Sequence, residues 1–362
     1  MDVSLSETQQ LIKNAITDYL ERDVAFDRIR EVEVSGDYDR VLWAELVNQG
    51  WLGLPFAEDL GGQGGALTDL GVLLEALQRR AVLIPILETI ASGLAIAKFA
   101  DKATATEVVG GIIAGTRTIS PAVLEKSDRF DDVNIRATGD TVTGDKYFVD
   151  YGQLTTHHLV AAKGDDGAVG LYLVDAKGSG VTCKKLANVG SVPQANVTYS
   201  GAVAKKVGGA DGVQYLLRVC RGLAAIQCLA CSQQALDMSV DYAGMRVQFG
   251  RPIGSFQAVQ HHCANMATDT MAARFLVYEA LWALDEGIAT NEQLAIAKSQ
   301  ASRTARWVPM QAHVIHGGLG IVTEYDLQFF SRRGKQASVS WGSEAECIEE
   351  LAVTIEAPEK WI

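Results

Sequence analysis

The spacing of apolar residues near the start of the chain predicts an amphipathic helix. Apolar side chains recur there every three or four positions, which is the helical period: Leu11, Ile12, Ala15, Ile16, Tyr19 and Leu20. Ser4 and Ser6 precede this run and are candidate N-caps. The amphipathic character also distinguishes this start from a secretory signal peptide.

The helical pattern continues through the first third of the chain. Apolar stripes at 41–52, 69–78 and 86–100 predict further helices. A glycine-rich loop, PFAEDLGGQGG at 55–65, separates the first two of them. We therefore expect an all-helical N-terminal domain over residues 1–115.

The pattern changes at Thr116, where short β-branched runs separated by Gly and Asp begin. The segment 140–149 (DTVTGDKYFV) is typical of a strand-turn-strand unit. Residues 157–163 and 168–175, joined by a Gly-Asp-Asp-Gly turn, are typical of a hairpin. A small β-barrel or sandwich is predicted over 116–207.

After Gly212 the helical period returns and persists. Long apolar stripes at 212–245, 256–286, 292–316 and 343–356 fit an antiparallel four-helix bundle. The predicted fold class is α+β and multidomain, with a helical domain, a central β-barrel or sandwich, and a four-helix bundle over 208–362.

Composition narrows the classes of function. The 362 residues carry 32 basic and 44 acidic side chains, a net charge of −12. An acidic protein is poorly suited to nucleic acid or to anionic membrane surfaces, since both require basic faces. No apolar run approaches the roughly 18–20 residues of a membrane span, so neither nucleic acid nor membrane is an expected partner.

The cysteines and histidines do not form a metal motif. Cys228 and Cys231 form a CxxC inside an apolar helical pattern without the second pair that a four-cysteine zinc site requires. We expect buried thiols and a reducing, cytoplasmic location. The pairs His313/His316 and 261/262 have no third ligand at a matching spacing, so no metal site is predicted.

Residues 246–260, RVQFGRPIGSFQAVQ, carry the most informative motif. Arg246 lies at a helix end, and its planar guanidinium group presents several N–H donors that suit phosphate oxygens. Gln248 and Phe249 follow, and a short turn that contains Gly250, Pro252 and Gly254 leads to Phe256 and Gln257. The simpler alternative is a helix corner with a surface arginine. We favour a nucleotide-binding motif because all these features occur together.

A second motif, HGGLGIVTEYDLQFFSRR, occupies 316–333. Gly317, Gly318 and Gly320 allow backbone amides to approach a phosphate or a sugar.

Both motifs resemble those of the acyl-CoA dehydrogenase flavoproteins, and the loop at 55–65 resembles that family's glycine-rich loop. The resemblance covers nearly the whole chain, and it implies an oxidoreductase that uses FAD and acyl-CoA. In the family, Arg246 and Gln248 would meet FAD phosphates and Gln257 the adenine, mainly of a neighbouring subunit's FAD. Two departures occur: Val314 stands where a Gln is expected, and Arg332-Arg333 replaces an Arg-Asp pair.

The flavin-facing residues of the family are mostly absent. Its Thr-Glu-Pro-x-x-Gly-Ser-Asp segment corresponds to 123–128 here, where only a Glu and a Ser-Asp remain. The family's Trp-x-Thr strand corresponds to Phe148 and Asp150. Phe148 is able to stack on a flavin, whereas an ionised Asp150 would oppose the negative charge that develops on reduction. The alternative is that Asp150 only starts a turn.

The carboxylate that removes the substrate's α-proton in the family is also missing. One family position corresponds to Gly342, or to Ser343 if the register shifts by one; the other corresponds to Cys220. Glu344 is a remaining candidate, although an acidic residue there also suits the start of a helix. No catalytic residue is therefore assigned.

Retained nucleotide contacts and a missing base together suggest a subunit of an α2β2 acyl-CoA dehydrogenase. A homologous partner would supply the base, this chain would complete the partner's FAD site, and electron-transfer flavoprotein would accept the electrons. Lipid or steroid β-oxidation is the implied setting. Two alternatives stay open: a self-sufficient homotetramer with a non-standard base, and a flavin-free scaffold.

Overall fold

The structure, a computed structural model, describes residues 4–356. The chain folds into two compact units. A helical unit comprises Met1–Ile29, Leu67–Val82 and Arg221–Ile362, and a β unit comprises Arg30–Ala66 and Leu83–Cys220.

The helical unit begins with the predicted amphipathic helix. Ser6 caps it: its hydroxyl accepts from Gln9 N at 3.2 Å, and the Gln9 side chain accepts from Ser6 N at 3.1 Å. Ile12, Ile16 and Leu20 form its buried stripe. The helices of this unit are α1 (Glu7–Asp23), α4 (Leu67–Arg79), α7 (Ala210–Met245), whose residues before Arg221 are assigned to the β unit, α8 (Gln257–Asp285), α9 (Asn291–His316), α10 (Leu327–Val339) and α11 (Glu344–Glu356).

The structure adds a fifth C-terminal helix, α10, to the four predicted. It occupies part of the segment interpreted as a nucleotide motif, which is why the sequence pattern was not assigned to a helix. Leu327, Phe330 and Ala337 are buried along one of its faces, and a Cβ at Gly334 would lie 2.9 Å from the Ala305 carbonyl oxygen. A larger residue at Gly334 would separate α9 from α10.

Helix α7 is long and apolar. Part of it has a mean hydropathy of 1.2 over 18 residues, and 72% of that window is buried inside the protein. It passes a membrane-span test by length and composition, so the prediction that no apolar run approaches a span was wrong. Its burial is what a core helix of a bundle shows.

The β unit consists of a barrel with four surrounding helices. The helices are α2 (Phe26–Ser35), whose first turn is assigned to the helical unit, α3 (Arg40–Asn48), α5 (Ile86–Phe99) and α6 (Lys102–Ile113). The strands are β1 (Ile119–Ala122), β2 (Arg136–Thr138), β3 (Thr141–Asp150), β4 (His157–Lys163), β5 (Val169–Asp175), β6 (Val181–Leu186) and β7 (Gln194–Gly208).

The strands run in the order β1-β4-β2-β3-β7-β5, and β5 also pairs with β4, so the sheet closes into a barrel. The hairpin β4–β5 is confirmed, with His157 opposite Asp175 and Lys163 opposite Val169. The strand-turn-strand prediction for 140–149 was wrong: β3 is one continuous strand along β7. Gly144 sits in β3 with a Cβ position 2.6 Å from Ile135, so close packing rather than a turn requires this glycine.

Candidate functional site

Arg246 follows the last residue of α7 and starts a short hairpin. Val247 and Gln248 pair with Pro252 and Arg251 across a two-residue turn. The turn residue Phe249 has a φ of 55° and is 93% exposed. The hairpin therefore holds Phe249 outward and leaves Arg246 exposed beside it.

The guanidinium of Arg246 makes no hydrogen bond or ion pair to any other residue within 4–356. Gln248 Nε2 instead donates to the Val247 carbonyl at 2.8 Å, within its own hairpin. Gln257 is the first residue of α8 and is exposed. Arg246 thus has donors available for an external anion, whereas Gln248 must first release its local bond.

The glycine motif lies at the C-terminal end of α9. Gly317 caps this helix with a φ of 57°, a conformation that L side chains rarely adopt. A Cβ at Gly317 or Gly318 would meet no atom within 4 Å, so these glycines leave open space above their backbone. Val314, which stands where the family has a Gln, is 61% exposed.

An aromatic contact brings the two nucleotide motifs together. Tyr242, one turn before Arg246, stacks on His316 with ring centroids 4.5 Å apart, and Tyr325 lies 5.2 Å from the same imidazole. The His316 Nδ1 atom bonds to the Ala312 carbonyl at 2.8 Å, and burial lowers its pKa. A neutral imidazole therefore positions the Gly317 turn beside the C-terminal end of α7. Sequence analysis did not assign this role to His316.

In the β unit, Glu125 is a structural anchor. Its Oε1 accepts from Lys146 Nζ at 2.9 Å, from Asn134 N at 2.8 Å and from Ile135 N at 3.1 Å. Lys146 is fully buried, and burial lowers its pKa to about 8 although Glu125 opposes that shift. The Glu that remains from the family's flavin-binding segment thus holds the 123–135 loop against β3.

Phe148 and Asp150 end β3 next to a bulge. The register with β7 shifts between Lys146 and Val149, and Phe148 is 49% exposed with a φ of 54°. Asp150 stays in the strand, where its Oδ1 accepts from Gln194 Nε2 at 2.8 Å. The alternative in which Asp150 only starts a turn is therefore incomplete, since it is also a hydrogen-bonded strand residue.

A second carboxyl group, Glu88, lies close enough to Asp150 to repel it. Burial raises the pKa of Asp150 to about 6; burial and then the Asp150 charge raise the pKa of Glu88 well above its ordinary value. Glu88 is 4% exposed on α5, and its Oε2 has no hydrogen-bond partner within residues 4–356. Sequence analysis missed this pair because Glu88 falls inside an otherwise apolar helix.

Neither position of the family base carries a carboxylate. Gly342 has a φ of 110°, and its Cβ position lies 3.4 Å from Arg221 Nε and Nη2. Arg221 donates to the Trp341 carbonyl at 3.2 Å and to Glu350 at 2.8 Å. The other position, Cys220, is fully buried, and burial raises the pKa of its thiol. A guanidinium therefore occupies the space beside Gly342.

Lys298 fixes the turn that contains Gly342. Its buried Nζ donates to Gly342 O at 2.8 Å, to Ala337 O at 3.0 Å and to Ser302 Oγ at 2.8 Å. Burial lowers the pKa of this amine. The lysine thereby satisfies carbonyls at the end of α10 and holds the following turn in place.

Glu344 has a structural partner. It is the first residue of α11 and forms an ion pair with Arg306. Ser343 and Glu346 form the cap: Ser343 N donates to Glu346 Oε2 at 2.7 Å, and Glu346 N donates to Ser343 Oγ at 3.3 Å. The expectation that Glu344 lies at a helix start is confirmed, and its pairing argues against a free base.

The cysteines are all free thiols, and Cys228 and Cys231 are fully buried, as predicted. Over residues 4–356, no group of three or more His, Cys, Asp and Glu side chains is arranged to hold a metal ion.

The residues fit one end of FAD and not the other. The exposed Arg246 suits a nucleotide diphosphate, and the open space at Gly317 and Gly318 lets a ligand approach their backbone. By contrast, an ionised Asp150, with a pKa of about 6, does not suit a ring that gains negative charge on reduction.

Comparison with known proteins agrees with these features. The models named Acyl-CoA dehydrogenase, N-terminal domain and Acyl-CoA dehydrogenase, C-terminal domain match residues 6–116 and 208–352. Acyl-CoA dehydrogenase IpdE2 of Mycolicibacterium smegmatis is 27% identical over 97% of this chain and 100% of its own length.

Two solved structures have the same fold over almost their whole length. The ChsE4–ChsE5 complex from Mycobacterium tuberculosis matches with a TM-score of 0.93 and 25% identity, covering 99% of both chains. A variant of the Tcur3481–Tcur3483 steroid ACAD matches with a TM-score of 0.90 and 30% identity, covering 98% of both chains. This chain therefore belongs to the acyl-CoA dehydrogenase family of flavoenzymes.

Proposed function

We propose that this chain is the base-lacking subunit of an α2β2 FAD-dependent acyl-CoA dehydrogenase, in which it completes the FAD site of a homologous catalytic subunit. The observation that carries the proposal is the pair Gly342 and Arg221: a guanidinium lies 3.4 Å from the Cβ position where the family carries its base. A carboxylate added there would be drawn into an ion pair with Arg221, which would lower its basicity.

The hairpin at 246–252 supports the proposal that this chain contributes contacts to FAD bound mainly by a neighbouring subunit. Arg246 and Phe249 are exposed, and an exposed aromatic beside a cationic fork suits contact with another subunit's nucleotide. When bound, FAD supplies the hydride acceptor, and this chain's contribution is to bind the diphosphate and adenine. The name of one similar structure describes the ChsE4–ChsE5 complex, and another names the Tcur3481–Tcur3483 steroid ACAD.

We further propose a bulky acyl-CoA thioester, in lipid or steroid β-oxidation, as the substrate, electron-transfer flavoprotein as the acceptor, and a cytoplasmic location. The steroid class is supported by the Tcur3481–Tcur3483 name.

The proposal is tested by removing the base from the partner subunit. The chain is co-purified with its partner, and acyl-CoA oxidation is measured by flavin bleaching and by turnover with an artificial acceptor. Replacing the partner's active-site glutamate by glutamine is expected to abolish turnover with flavin retained. A complex that keeps its turnover without that glutamate would refute the proposal.

One observation favours the self-sufficient alternative, with a non-standard base. Glu88 is a buried carboxyl group with an unpaired oxygen and a raised pKa, as a general base often has. Under this second proposal Glu88→Gln abolishes turnover and keeps the flavin, whereas under the first it leaves turnover of the complex within about twofold. Glu344→Gln serves as a matched control, since Glu344 pairs with Arg306.

A further inference from the structure

The helical unit contains a cavity of about 1240 Å³ between α1, α4, α7 and α8. It is lined by none of the residues assigned above to nucleotide binding or to the base position, such as Arg246, Gly317 and Gly342. Small-molecule sites usually measure roughly 300–1,000 Å³, so this space is large enough for a ligand of considerable size.

One wall of the cavity carries charges that neutralise each other. Glu75 accepts from Arg274 in two bonds of 2.8 and 2.7 Å and from the Tyr278 hydroxyl at 2.9 Å. Arg79 forms an ion pair with Asp237 at 2.5 Å. Gln233 joins the two pairs, accepting from Arg274 at 3.2 Å and donating to Asp237 at 2.8 Å.

This pairing selects against charged ligands. Burial alone would raise the pKa of Glu75, yet Arg274 and Tyr278 hold this pKa below its ordinary value. The carboxylate is therefore ionised, and both of its oxygens accept hydrogen bonds from these two side chains. A charged ligand would have to compete for one partner and leave the other partly buried without a counter-ion, which is costly. Lys13, Arg80, Glu21 and Asp241 also line the cavity, so its lining has four basic and four acidic residues and no net charge. The lining therefore suits a neutral molecule.

A second wall is aromatic. Phe275, Tyr278 and Trp282 follow one another at intervals of three and four residues on α8, so their rings lie on one face of this helix. Val72 on α4 and Leu236 on α7 add aliphatic surface. Aromatic side chains make favourable stacked or edge-to-face contacts with the rings of a ligand.

A neutral donor is available beside the charged wall. Arg79 Nε donates to Gln234 Oε1 at 3.2 Å, which leaves the Gln234 amide nitrogen as the donor of that group. Thr17 on α1 contributes a hydroxyl group to the same lining. Both suit a ketone or hydroxyl oxygen.

We propose that this cavity is a binding site, separate from the acyl-CoA and FAD contacts, for a neutral and flat amphipathic molecule of fused-ring size that carries a ketone or hydroxyl group. The inference does not depend on the proposed subunit role, because it concerns binding and not turnover.

The test is equilibrium dialysis of the full-length protein, in the oligomer in which it is purified, against progesterone, a neutral fused-ring diketone. Saturable binding is expected, and the analogue with a carboxylate in place of the acetyl group should bind at least about tenfold more weakly. Absence of saturable binding, or equal binding of the carboxylate, would overturn the proposal. Displacement of progesterone by an acyl-CoA would assign the site to the substrate channel and would also overturn it.

A matched pair of variants locates the site. Ala267 lines the cavity, and Ala272 lies on the same helix, is exposed and does not line it. Ala267→Trp should weaken progesterone binding about tenfold or more, whereas Ala272→Trp should not change it. Phe275→Ala, at a side chain that is 43% exposed, provides a second variant that is not expected to disturb folding. Unchanged binding in both Ala267→Trp and Phe275→Ala would refute this location.

Discussion

At the level of one residue, Gly342 supports the proposal that this chain lacks the family's base. Its φ of 110° disfavours any side chain, and Arg221 lies beside its Cβ position.

We therefore expect Gly342→Glu to produce no dehydrogenase activity in the isolated chain and to lower the free energy of unfolding by about 1–2 kcal/mol. Gly209→Glu is the control, because Gly209 is exposed and a Cβ there meets no atom within 4 Å. Stability is measured by urea unfolding, and turnover by acceptor reduction. Activity gained by Gly342→Glu would show that the site needs only the carboxylate.

Arg246 and Arg251 form a matched pair for the nucleotide contact. Both are exposed in the same hairpin, but the Arg251 guanidinium lies 4.2 Å from the centre of the Phe256 ring. Arg246→Ala should weaken FAD binding in the co-purified complex about tenfold or more, because a charge-assisted hydrogen bond is lost. Arg251→Ala should have a smaller effect on FAD affinity, measured by fluorescence titration. Unchanged FAD affinity in the Arg246→Ala complex would favour the flavin-free scaffold.

Glu88 makes stability depend on pH. The folded pKa of Asp150 is about 6 and that of Glu88 is also raised, so the folded state binds more protons than the unfolded state above about pH 4. The free energy of unfolding therefore falls as pH rises from about 4 through 6 and beyond.

Glu88→Gln should remove part of this loss. The difference in free energy of unfolding between Glu88→Gln and the parent chain should become more favourable to the variant by on the order of 1 kcal/mol from pH 5 to pH 8. The free energies are measured by urea unfolding at equal protein concentration. Glu31→Gln, at an exposed position, is the control. A constant difference between Glu88→Gln and the parent chain at both pH values would argue against the carboxyl pair.

At the level of elements, Lys298 connects α9 to the end of α10. Lys298→Met would leave the Gly342, Ala337 and Ser338 carbonyls without this donor. We expect a loss of about 2–3 kcal/mol of stability and a lower Tm. Lys335→Met on α10 is the control, since Lys335 is exposed. Equal Tm values for the two variants would contradict a role for Lys298 at this helix end.

The elements also show what the sequence could predict. Apolar periodicity located α1, α8 and α9, because each presents a regular buried stripe. The predicted α7 is instead buried on most of its faces. Apolar periodicity did not find α10, because the segment 316–333 was interpreted as a nucleotide-binding motif and not as a helix. In the barrel, the segment around Gly144 was predicted to contain a turn. A glycine is needed there because a Cβ would collide with Ile135, and no local sequence pattern reveals this contact.

The candidate site divides in the same way. Arg246 and the Gly317 turn were predicted as nucleotide contacts because short motifs carry them, and they stay predictions. The Glu88–Asp150 pair and the Arg221 contact at Gly342 join residues far apart in sequence. Only the folded chain places such residues side by side.

The whole molecule has the fold of an acyl-CoA dehydrogenase, a helical domain, a barrel and a second helical domain, as the sequence predicted. Within that fold we propose a division of labour: the nucleotide contacts serve a neighbour, and the base comes from that neighbour. This division accounts for retained motifs beside a missing carboxylate in a single chain.

Flavin content is the most direct test of this division. The chain is purified alone and together with its homologous partner, and FAD is released and counted against protein by absorbance and native mass spectrometry. The account predicts no bound FAD in the isolated chain and about one FAD for every two chains in the complex. A full complement of FAD in the isolated chain, with acyl-CoA oxidation, would contradict it.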